Sequence, residues 1–286
     1  MAALTTPFTE KGKVDRIKFS DHASQLLTRG LQGVVPFGTT GEGASLGMQE
    51  KAECLEHMIA QGIPAGRIIM GVASSAVDEA VQTARHALSA GCRGILLAPP
   101  FYFKVPGAEG VYRWFSEVIS QLGPNARGVV LYHIPQVTGV ELSPDMVNRL
   151  RAAFGPIVAA VKDSSGNLET TRGFIQRTGL PILVGHEGLL AGMMAEGAVG
   201  SISGLANLLP ERLSQVVNQG HADPLFEPLV RTVVSFPVVP AVKTILARLT
   251  QDPAWLICRP PLETLGREHG AQLLQTWDVL CQAHAA

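Results

Sequence analysis

Short apolar runs alternate along this chain with longer stretches in which apolar residues return every three or four positions. That alternation is the pattern of parallel strands joined by crossover helices. Eight such units follow one another. The strands are expected at residues 3–6, 33–37, 68–72, 94–98, 128–132, 157–162, 182–184 and 198–202, and the helices begin near Asp15, Met48, Val77, Ala108, Ser143, Leu168, Glu187 and Leu208. At Ser143-Pro144 the hydroxyl can cap the helix, and the proline fits the first helical position, where an N–H has no partner anyway. Strands that are apolar almost throughout are buried on both faces. Eight repeats of this length therefore predict an α/β fold, a closed (β/α)8 TIM barrel, over residues 1–222. No G-x-G-x-x-G follows the first strand, as a doubly wound dinucleotide-binding sheet would often show. After Pro224 the strands stop, and helical segments at 224–236, 239–249 and 261–283 predict a C-terminal helical extension, residues 223–286, packed on the barrel without a dividing linker.

Composition narrows the function. With 286 residues, 46% apolar and 16% charged, the chain can bury a large core. A formal net charge of -1 and the lack of a basic block give no electrostatic footprint for nucleic acid or an anionic membrane. A small molecule is the expected partner. Cys54, Cys92, Cys258 and Cys281 lie far apart, with no C-x-x-C, so neither a zinc site nor a disulfide framework is expected, and a reducing cytoplasm fits. No apolar run approaches the ~20 residues that span a bilayer, and the start of the chain does not read as an export signal.

The chemistry collects at the C-terminal ends of the expected strands, where barrel enzymes carry their reacting groups. The sixth strand ends at Lys162, after Pro156-Ile157-Val158-Ala159-Ala160-Val161. Burial disfavours an ammonium, and a desolvated lysine becomes a nucleophile able to condense with a ketone. The alternative is a lysine just past the strand end, its ammonium in water. The fifth strand ends at Tyr132, whose phenol can pass a proton to and from a substrate hydroxyl, or else simply pack there half-buried. The second strand runs into Gly38-Thr39-Thr40-Gly41-Glu42, whose hydroxyls and backbone N–H groups can face a carboxylate, or else form an ordinary capped loop. A 2-oxo acid needs its ketone captured, its oxygen protonated and its carboxylate held. These three strand ends offer an amine, a phenol and an anion loop.

Gly38-Thr39-Thr40-Gly41-Glu42, Tyr132-His133-Ile134-Pro135 with Thr138-Gly139, and Val161-Lys162-Asp163 together resemble the dihydrodipicolinate synthase and N-acetylneuraminate lyase family of Schiff-base-forming class I aldolases. The resemblance runs from Thr6-Pro7-Phe8 to Arg259-Pro260-Pro261. It implies that Lys162 forms the Schiff base, that Tyr132 carries protons, and that Thr39 and Thr40, with Gly41, supply the hydroxyl relay and carboxylate site. It further implies that Tyr102, in Pro100-Phe101-Tyr102-Phe103-Lys104, crosses into a neighbouring subunit, that the backbone of Ile202 faces the keto acid, and that the protein is a homotetramer, a dimer of dimers. Neither a metal nor an organic cofactor is implied, because the covalent iminium acts as the electron sink.

One position departs from the family pattern. Dihydrodipicolinate synthases carry an arginine, in Y-N-V-P-x-R-T-G, that binds the carboxylate of aspartate semialdehyde, and this chain has Val137 there. Losing a charge-assisted hydrogen bond to a buried carboxylate forfeits about 2 to 4 kcal/mol. The lysine-pathway activity is thereby disfavoured unless Lys104 or a neighbouring subunit compensates. The expected reaction is reversible aldol cleavage of a 4-hydroxy-2-oxo, sugar-derived acid to pyruvate and an aldehyde. The rivals are dehydration of a 3-deoxy-2-oxo sugar acid and non-catalytic 2-oxo acid sensing. His186, with Glu187, His133 and Gly204 are the local candidates for reading the far end of the substrate, although a His-Glu pair at a helix start also serves as a solvated cap.

Overall fold

The computed structural model describes residues 1–284. Eight parallel strands form in chain order: β1 (Ala2–Ala3), β2 (Val34–Val35), β3 (Ile69–Val72), β4 (Gly94–Leu97), β5 (Val129–His133), β6 (Val158–Asp163), β7 (Ile182–Val184) and β8 (Gly200–Ser201). β1 pairs with β2, and β3 to β8 pair in sequence order. Single parallel bridges, Val34 to Ile68 and Ala2 to Ser203, join the two sheets and close the ring. The barrel expected from the eight repeats is therefore present. Its first strand is shorter than expected, because Thr5 and Thr6 leave the ladder. The Thr5 amide donates to Asn207 Oδ1 at 3.0 Å and the Thr6 hydroxyl to the Gly41 carbonyl at 2.7 Å.

Outside the ring lie α1 (Arg16–Thr28), α2 (Met48–Ala60), α3 (Val77–Ser89), α4 (Ala108–Ser120), the short α5 (Pro135–Thr138), α6 (Pro144–Phe154), α7 (Leu168–Thr178), α8 (Glu187–Ala195) and α9 (Pro210–Gln219). Ser143 caps α6 by accepting from the Met146 amide, with Pro144 in the first turn, as its sequence implied. α5 was not foreseen, since four residues carry no periodicity. α9 starts at Pro210 after a 3-10 turn at Leu205–Asn207, slightly later than expected. The C-terminal helices are α10 (Phe226–Val234), α11 (Val238–Thr250) and α12 (Arg267–Ala283). The last begins at Arg267 rather than at 261: the Pro260-Pro261 pair lacks amide donors, and the Thr264 hydroxyl bonds instead to the Leu256 carbonyl. Among the described residues no single helix is long and apolar enough to cross a membrane.

Two cores result from the two faces of each strand. Val129, Leu131, Val158 and Val161 point outward into the layer between strands and helices, whereas Val130, Tyr132, Ala160 and Ile202 point into the barrel. Asn207 ties the barrel's seam together, since its Nδ2 donates to the Ala3 and Gly204 carbonyls and its Oδ1 accepts from Thr5 and faces His22 Nε2 at 3.0 Å. Burial pushes the His22 imidazole down to about 4, against the smaller upward pull of Asn207. The unfolded chain binds this proton near pH 6.5 and the folded chain refuses it until about pH 4. Stability is therefore lost as pH falls between those values, by up to about 3 kcal/mol. Guanidinium unfolding midpoints at pH 7 and pH 5 should show this drop in the wild type and a much flatter response in His22→Phe.

Candidate active site

β5 and β6 are joined by a register shift. Val129 is opposite Val158, but Val130 is opposite Ala160, which leaves Ala159 as an extra residue in β6. Val158 faces outward and Ala160 inward although only two positions separate them. Without this bulge, strict alternation would send Lys162 outward with Val158. With it, Lys162 points into the barrel and lies directly across from Tyr132. The Lys162 ammonium nitrogen sits 4.2 Å from the centroid of the Tyr132 ring, and both side chains are buried. The reading in which Lys162 reaches bulk water is excluded by that burial.

The Tyr132 hydroxyl is 3.4 Å from Thr39 Oγ1. Thr39 and Thr40 both line a cavity of about 480 Å³ together with Tyr132, Lys162, Ile202 and Val137. In this loop Glu42 N donates to Thr39 O and Gly43 N to Gly38 O. Among the described residues, the amides of Thr39, Thr40 and Gly41 make no backbone hydrogen bond, so they remain available to an anion. Gly41 itself lies under the loop rather than on the cavity wall: a Cβ there would stand 2.6 Å from the Leu4 carbonyl oxygen. Its contribution to the site is this close backbone approach.

The loop is held from behind by the C-terminal helices, a feature the sequence reading missed. Glu42 has a left-handed backbone (φ 54°) and is buried in an ion pair with Lys243 of α11. The Arg259 amide donates to Glu42 Oε2 at 2.8 Å, and Lys243 also donates to the Ile257 carbonyl at 2.6 Å. The Arg259 guanidinium, in turn, grips both oxygens of Glu50. A Gly-Glu dipeptide after an apolar strand, with one lysine in an otherwise apolar helix, is a signal too common to pair from sequence.

Three lysines are buried: Lys51, Lys162 and Lys243. Lys243 is spoken for by Glu42. Lys51 is pulled down to about 8 by burial, with Glu79 opposing, but it lies in a groove outside the barrel beside Ser75 and Glu79. Lys51 shares its groove with Tyr102, but among the described residues Lys162 alone of the three shares a cavity with both a phenol and the Thr39-Thr40 loop.

His186 reaches the cavity wall, its ring wedged between Gly166 and Gly188, and a Cβ at Gly166 would approach its Cδ2 to 3.0 Å. Glu187 does not cap its own helix. Its Oε1 accepts from the Ser203 hydroxyl and, at 3.1 Å, from the Leu205 amide, which fixes the segment after β8. His133 points away from the cavity, next in the strand to inward-facing Tyr132. There Nδ1 accepts from the Leu142 amide at 3.1 Å, the ring packs on Phe174, and burial lowers its pKa against the pull of Asp163. Ser164, Ser165 and Gln136 also line the cavity and were missed, because each sits past a strand end where no periodicity singles it out. Tyr102 lies outside this cavity, 73% exposed, beside the exposed Phe103 and Val105. Lys104 is likewise outside it, donating to the Phe101 carbonyl.

A closed barrel that holds an amine against a phenol at the C-terminal ends of its strands belongs to the barrel enzymes that act on carbonyl compounds. The particular family is settled by comparison: the model of the dihydrodipicolinate synthetase family matches residues 1–278, and the chain belongs to that family. It is accordingly a lyase of the aldolase type. An uncharacterized DapA-like lyase of Chloroflexus aurantiacus is 35% identical over 223 residues, covering 77% of this chain and 74% of its own length. The 4-hydroxy-tetrahydrodipicolinate synthase of Methanothrix thermoacetophila is 34% identical over 76% of this chain and 72% of its own. Among solved structures, dihydrodipicolinate synthase from Agrobacterium tumefaciens str. C58 superposes with a TM-score of 0.95 at 42% identity, covering 98% of both chains. A 2-keto-3-deoxygluconate aldolase of Sulfolobus matches with a TM-score of 0.86 at 22% identity, a likeness of fold.

Proposed function

We propose that this protein is a Schiff-base lyase that cleaves a 4-hydroxy-2-oxo acid to pyruvate and an aldehyde, with Lys162 as nucleophile. The observation that carries this reading is the bulge-directed placement of the Lys162 amine over the Tyr132 ring, inside a cavity that the Thr39-Thr40 loop also lines. The substrate carboxylate docks on the loop amides and hydroxyls. Lys162 Nζ attacks C2, Tyr132 protonates the departing oxygen, and water leaves as the iminium forms. The C4 hydroxyl then gives up its proton, the C3–C4 bond breaks with its electron pair passing into the iminium, and the aldehyde departs. Protonation of the enamine at C3 and hydrolysis of the imine release pyruvate and restore the amine. The electron sink is the iminium, so no metal or organic cofactor is invoked.

Exposed Tyr102 suits a homotetramer in which it completes a neighbour's relay through Thr39. No residue of the cavity replaces the arginine missing at Val137, which weighs against aspartate semialdehyde as the aldehyde. The dihydrodipicolinate synthase from Agrobacterium at 42% identity keeps that second reading in play. Product analysis separates these reactions. Pyruvate release from 4-hydroxy-2-oxo acids supports the proposal, a single dehydrated oxo acid marks a hydro-lyase, and condensation of pyruvate with aspartate semialdehyde marks the synthase. Tyr132→Phe should lower kcat by about 10²- to 10⁴-fold, with pyruvate binding nearly unchanged in equilibrium titration.

A further inference from the structure

One side of the cavity that holds Lys162 is walled by valines. α10 presents Val230, Val233 and Val234 at i, i+3 and i+4, and α11 presents Val238 and Val242 one turn apart. The two helices meet at a bend of 118°, so both stripes face the cavity that holds Lys162. Val137 of α5 adds a sixth valine at the mouth, where Val137, Val234 and Val238 are 55%, 54% and 41% exposed.

α10 and α11 bring no polar side chain to the cavity, and several of the polar groups at the strand ends are already engaged. Gln136 Nε2 donates to the Ser164 carbonyl at 2.6 Å. Ser165 donates its hydroxyl to the Asp163 carboxylate and accepts from the Asn167 amide. Glu187 Oε1 accepts from the Ser203 hydroxyl and the Leu205 amide. Among the described residues, His186, the Ser164 hydroxyl and Glu187 Oε2 make no hydrogen bond to the protein, but all three stand just past the ends of β6 and β7, and the α10 and α11 side offers a tail only valines. A sugar-derived tail brings roughly one hydroxyl per carbon, and each that loses water without gaining a partner costs about tenfold in binding. A hydrocarbon tail loses no hydrogen bond and gains about fourfold per methylene buried against the valines.

Resting on the reading of Lys162 given above, we infer that the 4-hydroxy carbon of the substrate carries an apolar tail, alkyl or aryl, in place of the sugar-derived tail expected from the sequence. Cleavage then releases pyruvate and an apolar aldehyde. The C3–C4 bond breaks, the C4 hydroxyl proton is lost, C3 gains one, and no other reactant is consumed.

The test compares kcat/KM for pairs of 4-hydroxy-2-oxo acids of equal chain length, one with a methylene or phenyl tail and one polyhydroxylated, in the wild type and in the Val234→Ser/Val238→Asn variant. Borohydride trapping of pyruvate on Lys162 runs alongside. The inference expects at least a tenfold preference for the apolar member, which shrinks several-fold in the variant while the adduct still forms. Equal or better turnover of the polyhydroxylated member, with the adduct present, overturns the inference and leaves the lyase reading standing. Absence of the adduct overturns both. A variant whose sedimentation mass changes while its selectivity does not would assign the valines to a subunit contact, and the inference would fall.

Discussion

Lys162→Met should abolish turnover, with kcat falling by at least about 10³-fold, because no other amine occupies the cavity in which the ketone must be captured. Methionine keeps the length and most of the volume of the lysine stem among Ala160, Tyr132 and Ile202, so the barrel should fold with a nearly unchanged melting temperature. Mass spectrometry after treatment with pyruvate and borohydride separates loss of chemistry from loss of fold. The wild type should gain one reduced pyruvyl adduct on the peptide carrying Lys162, and the variant none. Lys51 is the informative control. Its lowered pKa makes it a competent nucleophile, but it faces a groove outside the barrel that carries Tyr102 and lacks the Thr39-Thr40 loop. Labelling at Lys51 in place of Lys162 would sink the assignment.

The second large effect is on stability. Lys243→Met should destabilise the protein by about 3 to 5 kcal/mol, since it strands the Glu42 carboxylate in the interior with only the Arg259 amide as a partner. Lys243→Met combined with Glu42→Leu removes both charges and should recover much of that loss, because well-packed apolar pairs often match buried ion pairs. Chemical unfolding of the two single variants and the double variant measures the coupling directly. The pair also fixes the far end of the Thr39-Thr40 loop, so Lys243→Met should weaken pyruvate binding in equilibrium titration. An additive double variant would show that the ion pair is not what holds the loop.

These two lysines mark the limit of what the chain revealed as a string. Lys162 was visible because a long polar side chain ending an apolar strand is a local anomaly, and Tyr132 and the threonine loop were visible at two further strand ends. Lys243 carries no such local mark. It lies in an apolar helix some two hundred residues from its partner, and only the packing of α11 against the loop after β2 brings them together. The valine wall was hidden for the same reason. Val137 stood out only as the position of a missing arginine, Val234 and Val238 read as ordinary surface valines, and the three form one surface only because α5, α10 and α11 converge over the same strand ends.

The sequence by itself determined the eight-fold alternation, the barrel that follows from it, and the amine, phenol and hydroxyl loop on which the proposed chemistry rests, since each depends on short-range periodicity or on a residue type at a strand end. The tertiary structure alone decided which way Lys162 points. Counting by twos along β6 from Val158 sends it outward, and the unpaired Ala159 reverses that parity. A bulge is a property of two strands and their register, set by how the closing ring must shear, and a single strand's residues do not encode it.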